Sequence, residues 1–260
     1  MRGRTLMPEV DFATFPVLGF GVHAVQYADV LGQIETWKAA GARGRVVIVT
    51  NTHGLIEGRH NPRMASALRG AHLVLPDGFP LVLVGRSYGH RLAGRADGPG
   101  LTQAAMARWQ DGSMRHYFYG GTPQVLEKLR ENLTRRWPGT VIAGMQAPPF
   151  RPLTPEEDEA AVREINASGA DVLWVGLGCP KQEIWMAEHA SRVQVTAMLG
   201  VGQAIDLLAG VKKRAPDWMC RAGLEWFYRL MQEPRRLWRR YLVYGAEFVV
   251  LAALERLRAR

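Results

Sequence analysis

The sequence predicts an α/β protein: a Rossmann-like, mostly parallel sheet with helices on both faces, followed by a basic helical C-terminal appendage. Three observations lead there. Short β-rich runs alternate with helical patterns over the first 210 residues, as repeated strand–helix–strand units require. Apolar residues make up 47% of the 260-residue chain and charged residues 22%, a balance that supports a buried core and excludes disorder. After Gly210 strand patterns stop, and apolar, Trp and Arg residues interleave. The expected organisation is therefore a catalytic-sized α/β domain over 1–210 and an appendage over 211–260.

Taken in order, the candidate strands are 16–23, 45–50, 72–75, 116–119, 140–145, 171–175 and 195–199. Helical patterns fill 29–40, 123–137, 155–167 and 180–190. Leu153-Thr154-Pro155-Glu156-Glu157 reads as a helix start, with Thr as the cap, Pro at the first position and acids in the first turn. A terminal helix is expected over 241–257, with a broad apolar face and too short to span a bilayer, which needs about 20 apolar residues. No other segment is long and apolar enough to span, and the N-terminus lacks the apolar core of a signal peptide. A cytoplasmic protein is expected.

In open α/β sheets ligands bind beyond the carboxyl ends of the strands. Small residues recur there: Gly120-Gly121-Thr122-Pro123 after the fourth run, Gly176-Leu177-Gly178-Cys179-Pro180-Lys181-Gln182-Glu183 after the sixth, and Gly200-Val201-Gly202-Gln203 after the seventh. Such loops let backbone N–H groups approach a nucleotide or phosphate. Asn51 follows the second run. Asp77 follows the apolar run Leu73–Leu75 and precedes Gly78. A carboxylate there is partly desolvated, which raises its pKa and makes it a candidate general base; a turn or helix-cap Asp is the alternative from local sequence.

Other chemistries are poorly supported. Cys179 and Cys220 have no metal-ligand spacing, and His53, His60 and His72 lack acidic or thiol partners at such spacing, so no metal is expected. No Asp-x-Asp follows a strand, which removes the usual seat for a divalent ion beside a nucleotide-sugar. Gly19-Phe20-Gly21-Val22-His23-Ala24 matches a dinucleotide fingerprint and keeps an NAD(P)-dependent oxidoreductase open as an alternative. However, Thr50-Asn51-Thr52 stands where the ribose-binding acid belongs. Residues 211–260 hold 12 Lys and Arg against 5 Asp and Glu, +7 of the chain's +9. Arg229, Arg235, Arg236, Arg239 and Arg240 fall within twelve positions, among Trp226, Trp238 and Tyr241. That mixture suits an anionic membrane surface or phosphates. Nucleic acid is the other option, although no nucleic-acid motif accompanies it.

The stretches NTHGLIEG (from Asn51), ALRGAHLVLPDGFPLV (to Val82), GRADGPGL (from Gly94), YGGTP (from Tyr119), PPFRPLTPEED (from Pro148), ADVLWVGLGCPKQEIWM (from Ala170), GVGQAIDLLAG (from Gly200), KRAPDWM (from Lys213) and GLEWFYRLMQEPRRLWRRY (from Gly223) together resemble the WecG/TagA/CpsF family of glycosyltransferases. The resemblance runs over nearly the whole chain. It implies an inverting, metal-independent transferase that takes a sugar from a UDP-sugar donor to an undecaprenyl-diphosphate-linked acceptor on the inner face of the membrane, without a cofactor. It further implies Asp77 as general base, Asn51 as an active-site Asn, Gln182 as a sugar contact, and Arg229, Arg236 and Arg239 as diphosphate contacts that close over the site. Arg95 in GRADGPGL and Lys181 in PKQE join the glycine loops as candidate substrate contacts, and a homo-oligomer is compatible. Two departures stand out. Val49 occupies a position where the family often has Thr, with Thr50 on the opposite face of the strand. Gly100 stands where an Asp is expected.

Overall fold

The computed structural model describes residues 11–258. The chain opens with an antiparallel hairpin, β1 (Thr14–Val17) and β2 (Phe20–His23). The expected single strand over 16–23 is broken because Leu18 and Gly19 both take positive φ, 53° and 78°, the two-residue turn that matches strand twist. The fingerprint-like Gly19-Phe20-Gly21 is therefore hairpin turn and strand, in a two-stranded sheet of its own.

Strand–helix alternation follows. α1 (Tyr27–Ala39) leads to β3 (Arg45–Thr50), α2 (Thr52–His60), α3 (Pro62–Gly70) and β4 (Leu73–Pro76). Next come α4 (Phe79–Ser87), α5 (Gly98–Arg108), β5 (Arg115–Gly120), α6 (Pro123–Arg136) and β6 (Val141–Gln146). Then α7 (Pro155–Ala167), β7 (Val172–Gly176), α8 (Lys181–His189), β8 (Ala197–Gly200) and α9 (Ala204–Leu208) complete the α/β region. The six strands β4-β3-β8-β7-β5-β6 form one sheet, parallel throughout. Every carboxyl end thus lies on the same edge, as a sheet built from crossover units requires.

Alternation along the strands feeds two cores. In β3, Val46 and Ile48 pack with α2, α3, α8 and the hairpin, while Val47 and Val49 pack with α1, α5, α6 and α9. Helices α2 to α5 were not expected, for a physical reason. Their segments are short and rich in Gly and Pro, and α2, α3 and α5 begin at side-chain caps: Asn51 accepts from His53 and Gly54 N–H, Asn61 from Arg63 and Met64, and Asp97 from Gly100. Caps and packing, not intrinsic propensity, make them helical. In α2, Gly58 faces Phe20 and Leu68 so closely that a Cβ would overlap them.

After Gly210 the described chain is helical: α10 (Asp217–Arg221), α11 (Glu225–Gln232), α12 (Pro234–Trp238), a π-helical turn (Arg239–Val243) and α13 (Tyr244–Arg258). Phe248 of α13 is buried in the first core. Glu255 accepts from the N–H groups of Leu18 (2.6 Å) and Gly19 (2.9 Å), and Glu247 pairs with His60 at 2.9 Å. The last helix thus clamps the hairpin and α2. Among the described residues no helix is long and apolar enough to cross a membrane.

Glu255 receives two backbone N–H groups that the hairpin turn would otherwise leave to water. Glu255→Ala should lower unfolding free energy by about 1 kcal/mol or somewhat more. Leu257→Ala, at an exposed position of the same helix, should stay within about 0.5 kcal/mol. Urea denaturation of the two variants checks the difference.

Candidate active site

The site is built where six carboxyl ends converge. At the end of β4 the Asp77 N–H donates to Thr50 O at 2.7 Å, which ties it to the end of β3. Gly78 then takes φ 113°, a conformation that residues with a Cβ avoid, and the chain turns straight into α4. Asp77 is left half-buried on the cleft floor beside Asn51. Burial raises its pKa to about 6, the neighbouring Asp97 carboxylate pushes the same way, and Arg95 opposes both.

Asp97 was not singled out from sequence. It is 5% exposed and fully partnered: Oδ1 accepts from Gly100 N–H at 2.7 Å, and Oδ2 meets Arg95 at 3.0 Å and Arg214 at 2.9 Å. Arg95 also pairs with Glu225 of α11, so two ion pairs join the appendage to the α/β layer beside Asp77. Position 100, where an acid was expected, is Gly in the first turn of α5, the helix that Asp97 caps. Gly100 must stay small because a Cβ there would overlap the Tyr27 hydroxyl.

The glycine loops divide into two kinds. Gly121, Gly176, Gly178, Gly200 and Gly202 line the cleft. Gly120 does not: a Cβ on it would lie 2.5 Å from Gly176 O, so its smallness serves strand contact between β5 and β7. Gln182 is buried and lines the cleft. Its Oε1 accepts from Gly178 N–H (3.2 Å) and Gly202 N–H (3.1 Å), and its Nε2 donates to Glu183 at 2.9 Å. It therefore ties the loops after β7 and β8 together. Lys181 is exposed and lines neither cavity of the cleft.

Glu183 was also missed. It is 2% exposed, lines the cleft, and Oε2 has no hydrogen-bond partner. Burial raises its pKa to about 7. Val49 and Thr50 both reach the cleft wall, and the Thr50 hydroxyl is buried without a partner, against Gly54. The histidines are dispersed in structural roles. The ring of His72 accepts from Val46 N–H, His60 pairs with Glu247, and His53, held neutral by burial that lowers its pKa to about 3, lies 3.5 Å from Glu57. Among the described residues no three His, Cys, Asp or Glu side chains converge as a metal site.

Three appendage arginines enter the cleft: Arg229, which donates to Gln203 at 2.7 Å, Arg236, paired with Glu233, and Arg240. Arg239 is exposed and lies over the Tyr244 ring, outside both cavities. The π-helical turn beginning at Arg239 adds a residue to the winding, and Arg240 takes the inward place. Burial lowers the Arg240 pKa, and Nε has no partner.

Two cavities share this floor. One, of about 340 Å³, runs past the glycine loops to Thr122 and Phe150. The other, of about 780 Å³, is walled by Phe79, Val82, Trp226, Tyr241, Phe248 and Val249 and contains Arg95. Asn51, Asp77, Asp97, Glu225, Arg229 and Arg240 belong to both.

A family described as "Glycosyl transferase WecG/TagA/CpsF family" matches residues 15–260. The N-acetylglucosaminyldiphosphoundecaprenol N-acetyl-beta-D-mannosaminyltransferase of Bacillus spizizenii is 30% identical over 212 residues, covering 82% of this chain and 80% of that protein.

The raised carboxyl pKa values have a stability signature. An acid whose folded pKa exceeds its unfolded value loses stability as pH rises between the two. Asp77→Asn and Glu183→Gln should therefore unfold at higher denaturant than the parent at pH 8. Their advantage should vanish below about pH 4. Denaturation midpoints between pH 4 and 8 test this, and a constant gap would contradict it.

Proposed function

The chain belongs to the WecG/TagA/CpsF family of glycosyltransferases, and on that premise we propose the reaction. It transfers a sugar, of N-acetylmannosamine type or another hexose, from a UDP-sugar to an undecaprenyl-diphosphate-linked saccharide, with inversion. The observation that carries this reading is the meeting of two unlike cavities at Asp77. The glycine-lined cavity suits a nucleotide-sugar, because its small residues leave room for close approach and Arg229, Arg236 and Arg240 face it with positive charge. The larger cavity, with apolar walls and Arg95, suits a saccharide on a lipid diphosphate.

In this mechanism the ionised Asp77 takes the proton from the acceptor hydroxyl as that oxygen attacks the anomeric carbon. The new C–O bond forms as the bond to UDP breaks on the opposite face, so one displacement inverts the centre. Arg229, Arg236 and Arg240 offset the charge gathering on the departing diphosphate, in the role a divalent ion fills elsewhere. Asn51 stands at the junction to orient the reacting groups, and Arg95 reaches toward the acceptor diphosphate. The excess charge of 211–260, together with Trp238, Leu242 and Val250 exposed on the appendage, supports docking to an anionic inner leaflet, where each basic residue contributes up to about 1 kcal/mol. Acting on a membrane-held acceptor, the protein would work as a peripheral protein on the cytoplasmic face.

Asp77→Asn should cut turnover by about 10²–10⁴-fold, measured as acceptor-dependent UDP release. Because the base must be ionised, kcat/KM should fall as pH drops through about 6. Undiminished turnover in the variant would remove Asp77 from this role. Activity should persist in EDTA; loss with rescue by Mg²⁺ would replace the arginines with a metal. Binding to anionic vesicles should weaken as salt rises.

A further inference from the structure

The PPFRPLTPEED stretch is not used by the reaction above, yet it places an unusual residue on the cleft. Phe150 is 86% exposed, the most exposed of the large apolar side chains among the described residues, and it lines the smaller cavity. An exposed aromatic on the rim of a cavity presents a free ring face to whatever enters it. The loop holds it. Pro148 and Pro149 restrict the chain before it. After it, Arg151 donates from both terminal nitrogens to the Glu157 carboxylate at 2.7 Å, and Thr154 and Glu157 cap α7 reciprocally.

Its place along the sheet edge gives it a ligand. The smaller cavity crosses the strand ends in the order of the sheet, from Asp77 after β4 to Phe150 after β6, with Gly200 and Gly176 between. The reacting sugar belongs at the Asp77 end. Arg229 and Arg236, which line the same cavity, are the groups left for the diphosphate. What remains for the β6 end is the part of the donor that does not react. We propose that Phe150 is the stacking platform for the donor's nucleoside base. This rests on the nucleotide-sugar reading of the smaller cavity. Every base has a π-face, so the ring supplies affinity for nucleotides over bare diphosphate, without selecting among bases.

The test is calorimetric titration of the full-length protein with UDP and, separately, with inorganic diphosphate. Exposed Phe150 makes little core contact, so Phe150→Ala should fold normally. It should weaken UDP binding by roughly 5- to 150-fold, the measured range for lost base stacking, and leave inorganic diphosphate binding within about twofold. Phe150→Trp should restore UDP affinity. In turnover, Phe150→Ala should raise the donor KM while kcat holds. Equal loss for both ligands, or parental UDP affinity in Phe150→Ala, overturns the stacking role. So does a change in oligomeric state by light scattering with UDP binding intact, which would assign Phe150 to an interface between copies. If the parent protein binds inorganic diphosphate but no nucleotide, the donor reading itself fails. Parental UDP binding with Phe150 indifferent overturns this inference alone.

Discussion

Asp97 carries two positive charges from opposite parts of the chain, and the arrangement of the cleft depends on it. Its carboxylate takes Arg95, two residues before it, and Arg214, from the far side of Gly210, while capping α5. A buried carboxylate tolerates desolvation only when paired and hydrogen-bonded, and here every oxygen is used. The consequence reaches Asp77, whose proton affinity, raised first by burial, is raised further by the neighbouring carboxylate. One buried anion thus adds to the shift on Asp77, pairs with Arg95 on the larger cavity and joins the segment after Gly210 to the sheet edge.

The same economy appears on the other wall. Gln182 spends its carbonyl oxygen on two loop N–H groups. The loops after β7 and β8 therefore keep a fixed spacing without any side chain of their own. Close approach of backbones does the rest: Gly120 against Gly176 leaves no room for a Cβ. A wall fixed in this way needs little reorganisation when a ligand enters the cleft.

Much of this was legible in the sequence because it depended on local pattern. The parallel sheet followed from strand–helix alternation, and Asp77 from an apolar run ending in Asp-Gly. Asp97 was not legible, since its role depends on Arg214, 117 positions away. Glu183 was not legible either, because its burial is set by the packing of α8 against the sheet rather than by local pattern. The hairpin was read as one strand because Leu18, a residue that seldom takes positive φ, occupies its turn. Helices α2 to α5 were hidden by Gly and Pro that serve packing and caps.

The arginines show why a motif fixes composition better than direction. Arg239 and Arg240 are adjacent and chemically identical, and a regular helix would aim them about 100° apart. A π-helical turn starting at Arg239 changes that winding, and the inward place falls to Arg240. Its neighbours then explain its unpaired Nε. Arg240 lies within electrostatic reach of Cys179, Glu183 and Asp77, in a cleft with a second unpartnered polar atom on Glu183. Unmet polar atoms are costly in a finished interior. The Arg240 Nε–H, on the wall common to both cavities, is a donor left over for an anion, with Arg229 and Arg236 lining the smaller cavity beside it.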